Sequence, residues 1–310
     1  MASRSGDPPL SEPHDPHPRK PKVSTPPGAC DTHAHVFGPG NKYAFKPNGL
    51  YTPADALPSE FRHMLDTLGI DRAVLVQPSV YGTNNDAMLD ALASDPTRLR
   101  GIAVLPFDVS MEELERLHAA GVRGIRCNVV DVKAGKGQLD FPALRAFAER
   151  IAPLGWHVEF LMHVDEQPHL LDMLATFPTP VCFGHLGYVL PPSKGTDLPG
   201  FRALLRLMQD GKAWVKLTAP YRLSAKAHPY PDAAPFAGLL VDTAPDRVVW
   251  GSDWPHVQPR PGGPNGPPLD RAMPNDGDLF DVFVDWVPDE AVRRRVLVDN
   301  PAELYGWPQP

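Results

Sequence analysis

Apolar residues along this chain recur in short β-branched runs, each followed by a loop and a stretch with apolar positions at helical spacing. The runs predict strands over Ala29–His35, Arg72–Pro78, Leu99–Leu105 and Val122–Asn128, then Trp156–His163, Pro180–His185, Ala213–Thr218 and Arg247–Asp253. Helices are expected between them, for example over Ser59–Leu68, Ser110–Ala120, Pro142–Leu154 and Phe201–Gln209. Ser110 is placed as an N-cap with Glu113 at the capping-box position, and Met111, Leu114 and Leu117 form one apolar stripe. Strands alternating with helices of this length argue for an α/β fold with a parallel sheet. Eight such units favour a closed (β/α)8 TIM barrel over an open, doubly wound sheet. No GxGxxG follows the first run, which counts against dinucleotide binding.

The pattern is absent from residues 1–27, which are rich in proline and charge and carry almost no large apolar residue between Ala2 and Val23. Such a segment buries too little surface to offset its ordering entropy. It is read as a loose, disordered tail ahead of a single barrel domain at 28–310, with draping over a partner subunit of a homo-oligomer as the alternative. His14 and His17 are then solvated. The connections Gly38–Pro58 and Trp254–Gly277 are long, and in a barrel they stand over the C-terminal face as lids or binding loops.

A formal net charge of −7 gives no basic footprint for nucleic acid, and an anionic ligand must be drawn by local cations. No apolar run is long enough for a membrane span, and the N-terminus lacks the apolar core of a secretory signal, so a cytoplasmic protein is expected. Cys30, Cys127 and Cys182 are widely spaced and lie in apolar stretches, which reads as buried, reduced thiols.

The candidate chemistry sits at strand ends. In Asp31-Thr32-His33-Ala34-His35 the two histidines share one face of the first strand, aimed at the catalytic rim, where neutral imidazoles bind a metal or a substrate carbonyl. Asp253 ends strand eight, which closes on strand one, and a carboxylate there serves as general base towards water, with or without a metal. His185 ends strand six between glycines, and His163 ends strand five on the face of Glu159 and Leu161. Packed structural histidines are the alternative for each. Arg126 near the end of strand four and Arg222 after strand seven are candidate anion clamps, while Arg123 is expected to pair structurally. Tyr51, Ser79 and Tyr81 lie in loops where they can hydrogen-bond substrate.

Several segments carry a resemblance: CDTHAHVFGP from Cys30, VQPSVYG from Val76, GVRGIRCN from Gly121, GHLG from Gly184, WGSDWPH from Trp250 and VDNPAEL from Val298. In this order, from about residue 29 onward, the chain resembles the amidohydrolase-2 group of the amidohydrolase superfamily. Within that group it is most similar to the lactonase branch of pyrone-dicarboxylate lactonases and sulfomuconolactone hydrolases.

The resemblance implies a carboxylic-ester hydrolase of aromatic-compound degradation that opens a small anionic lactone. Asp253 is then the base, His33, His35 and His185 polarise the carbonyl, and Arg126, Arg222, Tyr51 and Ser79 hold the substrate's anion. Two positions depart from the branch: Tyr188 stands where it carries an arginine, and Val129–Val132 where it carries a base, leaving Lys133 or Lys136 as replacements. Tyr188 is therefore a candidate substrate contact. A carboxy- or sulfo-muconolactone fits this pattern better than the pyrone dicarboxylate. His163, where the branch is expected to carry a glutamate, is able to complete a divalent-metal site with His33, His35 and Asp253. Zinc or manganese and a metal-free mechanism both stay open. A metal-dependent non-oxidative decarboxylase of the same superfamily is the alternative activity.

Overall fold

In the computed structural model, which describes residues 8–47, 49–130, 139–189, 195–261, 267–269 and 272–308, eight parallel strands pair in chain order. They are β1 (Cys30–Ala34), β2 (Arg72–Val76), β3 (Leu99–Ala103), β4 (Val122–Asn128), β5 (His157–Leu161), β6 (Val181–Phe183), β7 (Ala213–Leu217) and β8 (Val248–Trp250). Each expected strand is present; β4 ends at Asn128 as expected, and the other seven end one to three residues earlier, where the backbone leaves the ladder at the C-terminal rim. The helices follow the expected windows, including Met111–Ala119, where the Glu113 amide donates to the Ser110 hydroxyl at 3.2 Å.

Closure between β8 and β1 is made just beyond the regular ladder. The Asp253 amide donates to His33 O and the His35 amide to Trp254 O, both at 2.8 Å. Here β1 comes so near that a Cβ on Gly251 would lie 2.7 Å from the His33 Cβ and 2.8 Å from its nitrogen. Only glycine admits that approach. These contacts complete a (β/α)8 barrel whose strand C-termini all meet at one rim. Much of the barrel interior below that rim is an apolar cluster: Val74, Val76, Ile102, Cys182, Trp214 and Val249 pack with Cys30 and, from the C-terminal segment, Tyr305 and Trp307.

One irregularity in β1 matters for the site. Asp31 pairs with Ala73 but Ala34 pairs with Leu75, so one extra residue is inserted on β1. A bulge of this kind flips side-chain parity. Cys30 joins the interior cluster, and His33, an odd number of positions further on, still faces inward.

The segment read as a loose tail is laid on the barrel from residue 8. The Arg19 amide donates to Asn275 Oδ1 at 2.9 Å, the Lys22 amide to Asp281 Oδ1 at 2.8 Å and the Gly28 amide to Asp71 Oδ2 at 2.6 Å. His14 is not solvated either, since its ring packs 4.8 Å from that of Trp254. Composition misjudges this segment because backbone and polar groups, rather than apolar side chains, hold it. All three cysteines are free, as expected. Among the described residues, no helix is long and apolar enough to cross a membrane.

Candidate active site

At the rim, His33, His35 and Asp253 bring one donor atom each within 4.8 Å of one another, all buried. Asp253 Oδ1 lies 3.5 Å from His33 Nε2 and 3.8 Å from His35 Nε2. Asp253 Oδ1 and His33 Nε2 are buried without a hydrogen-bond partner. The opposite oxygen is saturated, as Asp253 Oδ2 accepts from the Tyr221 hydroxyl at 2.5 Å and from Arg222 Nε at 2.7 Å. Asp253 sits at φ 64°, a left-handed conformation that costs a non-glycine residue energy and is typical of functional sites.

The surroundings fix the tautomer of His35. His35 Nδ1 is 2.6 Å from Val76 O, so it carries the proton and Nε2 presents a lone pair. His33 Nδ1 lies between Glu159 Oε1 at 3.2 Å and the Lys216 ammonium at 3.3 Å, a carboxylate that accepts and an ammonium that donates, so the two contacts favour opposite tautomers. Burial holds all three imidazoles neutral: His35 is pushed down to about 4, His185 to about 3, and His33 well below its ordinary value. Burial alone pushes the Asp253 carboxyl up, but Arg222 and the facing histidines outweigh it and hold Asp253 far below the usual carboxylate range.

Beneath His33 lies a feature that sequence reading missed. The ammonium of Lys216, on β7, donates to Glu159 Oε2 at 2.5 Å and to Thr32 O at 2.7 Å. Lys216 is fully buried and Glu159 is 2% exposed. A lysine inside the apolar run Ala213–Leu217, at an inward position, was the available signal. Tyr221 and the buried contact of His256 Nε2 with Asp276 Oδ1 at 3.0 Å were missed as well. They are reached only through the loops after β7 and β8, whose paths periodicity does not predict.

Above the carboxylate opens a cleft of about 160 Å³ lined by His35, Tyr51, Ser79, Arg126, His185, Tyr188, Arg222 and Asp253. It gathers most of the residues singled out from sequence. Arg126 donates through Nη1 to Gln77 O at 2.9 Å, and its Nε is buried without a partner. Tyr51 and Ser79 both line the cleft. Tyr81 turns away and donates no group to the cleft, accepting instead from the Gly38 amide at 2.9 Å. Arg123 is bound to the carbonyls of His118 and Val122, both at 2.8 Å, a structural pairing as expected.

His163 is not brought into the histidine–aspartate group. β5 ends at Leu161, and a short 3-10 turn over Val164–Glu166 starts directly after His163. Strand alternation therefore no longer applies, and His163 Nδ1 lies 2.7 Å from Tyr188 O with the two rings 4.4 Å apart. Lys133 and Lys136 lie outside the described residues.

The arrangement suits two chemistries. The Nε2 atoms of two imidazoles and an unpartnered carboxylate oxygen form a donor set fit for one divalent ion. The same carboxylate oxygen, aimed into a cleft carrying two arginines, is placed to take a proton from water beside an anionic ligand.

Comparison with known proteins agrees with this geometry. Residues 30–307 match the family model described as Amidohydrolase. A 2-pyrone-4,6-dicarboxylate hydrolase from Comamonas testosteroni is 39% identical over 305 residues, covering 94% of each chain. A 4-sulfomuconolactone hydrolase from Hydrogenophaga intermedia is 38% identical over 281 residues, covering 91% of this chain and 89% of the relative. Among solved structures, a probable 2-pyrone-4,6-dicarboxylic acid hydrolase from Acinetobacter baumannii with citric acid bound superposes with a TM-score of 0.77 at 30% identity. That match covers 90% of this chain and 99% of the other.

Proposed function

The chain belongs to the amidohydrolase family, and from that premise we propose that it hydrolyses a small anionic lactone by attack of water on the ring ester carbonyl. The observation that carries this reading is the unpartnered Asp253 Oδ1 at the floor of a cleft lined by Arg126 and Arg222. The lactone hydrolases among the relatives support the reaction class.

In this reading the substrate's carboxylate or sulfonate docks against Arg126, with Tyr51 and Ser79 as further donors. Asp253 Oδ1 takes a proton from water as the new C–O bond forms. Asp253 then returns that proton to the ring oxygen as the ester bond breaks. His185 and the guanidinium of Arg222 supply positive density at the carbonyl oxygen as it gains charge. A substrate anion that draws on Arg222 also relieves Asp253 of its counter-charge and makes it a stronger base. His35 points a lone pair, not an N–H group, at this corner, so its part is to accept a hydrogen bond from water or, together with His33, to ligate a cation.

His33, His35 and Asp253 would hold a divalent ion such as zinc or manganese, and that ion would lower the pKa of water there towards about 7. The orphaned donors at His33 Nε2 and Asp253 Oδ1 support that fit. Tyr188, edge-on to His185 at 5.3 Å, walls the cleft and favours a substrate with its anion at one pole, as in carboxy- or sulfo-muconolactones.

The test is a panel of 2-pyrone-4,6-dicarboxylate and carboxy- and sulfo-muconolactones, followed by ultraviolet loss and proton release before and after chelation. Turnover of at least one member supports the reading. Activity that survives chelation assigns catalysis to the side chains alone, and loss restored by zinc or manganese assigns an ion to His33 and His35. No turnover of any member rejects the substrate class.

A further inference from the structure

Residues 9–12 run between the two long loops that overhang the cleft, bridged to them at two points, Leu10 to Thr52 and Ser11 to Pro259. On one side the Thr52 amide donates to Pro9 O and the Ser11 amide to Thr52 O, both at 2.8 Å. On the other, the Arg260 amide donates to Leu10 O at 2.8 Å and the Gln258 amide to Ser11 Oγ at 3.1 Å. The Glu12 carboxylate grips Arg260 through both oxygens, at 2.8 and 3.1 Å. Thr52 is the neighbour of Tyr51, and Gln258 and Arg260 flank Pro259. Both Tyr51 and Pro259 line the cleft.

We infer that residues 9–12 are a positioning segment for the active site, a strap that sets the separation of the Tyr51 loop and the β8 loop and so the fit of the lactone. The inference rests on the lactonase reading. Its physical basis is that backbone groups of Thr52, Gln258 and Arg260 are satisfied by the strap. A paired strand edge holds its neighbours to a fixed spacing, as when a peptide is added to a sheet edge. The remainder of the N-terminal segment is held separately, at Asn275 and Asp281, away from the cleft. The strap touches no reacting atom among the contacts described, so its effect falls on binding rather than on the chemical step.

The test uses the full-length chain with Ser11→Pro, which removes both the amide donor to Thr52 and the hydroxyl acceptor from Gln258. The milder Ser11→Ala removes only the latter. Asp281→Ala, which frees the segment far from the cleft, is the control. The expected result for Ser11→Pro is KM raised about ten-fold with kcat changed less than about two-fold. Hydrogen exchange at the Thr52 and Arg260 amides is expected to quicken, Ser11→Ala to show a smaller change of the same kind, and Asp281→Ala to leave KM as it was. Unchanged exchange, or faster exchange with unchanged KM, overturns the inference. So does an equal rise of KM in Asp281→Ala, which would make the effect one of general docking. Exchange needs no substrate, so it still decides whether the strap holds the loops should the wild-type chain turn over no lactone and the functional reading itself fail.

Discussion

Arg222 donates through Nε to Asp253 Oδ2 at 2.7 Å, while Oδ1 of the same carboxylate is buried without a hydrogen-bond partner. One oxygen is pinned as a counter-ion and the other is left without a partner. Burial alone would raise the carboxyl, and the guanidinium is the leading cause that holds it down. Arg222→Met therefore raises the pKa of Asp253, and the acid limb of the kcat/KM profile moves to higher pH. KM for the anionic lactone rises as well. A pH–rate profile checks both, and an unmoved acid limb contradicts the assignment of Asp253 as base.

Lys216 and Glu159 form an ion pair beneath His33, with both groups out of solvent. Lys216→Met leaves an uncompensated buried carboxylate, which costs about 3–5 kcal/mol. Denaturant unfolding measures the loss. The double variant Lys216→Met with Glu159→Leu regains most of that stability but not the turnover, because His33 Nδ1 loses both of its polar neighbours. Equal stability of the single and double variants contradicts the pairing.

Gly251→Ala tests the closure of the barrel. Its Cβ would meet the His33 backbone nitrogen at 2.8 Å, so β1 must move and carry His33 and His35 with it. Overpacking of this kind costs on the order of 1–3 kcal/mol. The expected result is a lower melting temperature together with a fall in kcat, and full activity would show that the approach is not strained.

The barrel itself was legible because each strand is a compact β-branched run, and His33, His35, His185 and Asp253 all stand at the ends of such runs. The site was less legible where strand periodicity stops. His163 was assigned inward by alternation, but β5 ends two residues before it and its ring turns to Tyr188 O. Residues 8–27 looked loose because composition counts apolar side chains, whereas main-chain hydrogen bonds and the Glu12–Arg260 pair hold the segment. Tyr221 was passed over because its neighbour Arg222 carried the more obvious charge.

Stability is expected to fall on acidification from about pH 6.5 towards 4. Burial lowers His35 and His157 to about 4 and His185 to about 3 from an ordinary 6.5. Between those values the unfolded chain binds protons that the folded chain does not, so stability rises with pH across this window. Asp31 opposes the trend: burial raises it to about 6, and its contribution is lost as pH rises from about 4 to 6. Three histidines outweigh the one carboxyl. Thermal melts between pH 4 and 7.5 check the sign, and a melting temperature that is flat or higher at pH 4.5 would contradict the burial of neutral imidazoles.

The most direct measurement of the central claim is turnover of an accepted lactone in water enriched in oxygen-18. Attack of water on the ring carbonyl places one labelled oxygen in the new carboxylate of the product, and Asp253→Asn slows that incorporation by about a thousand-fold while keeping the fold. Label in the product hydroxyl, an unlabelled rearranged lactone, or release of carbon dioxide in place of a ring-opened acid would contradict it.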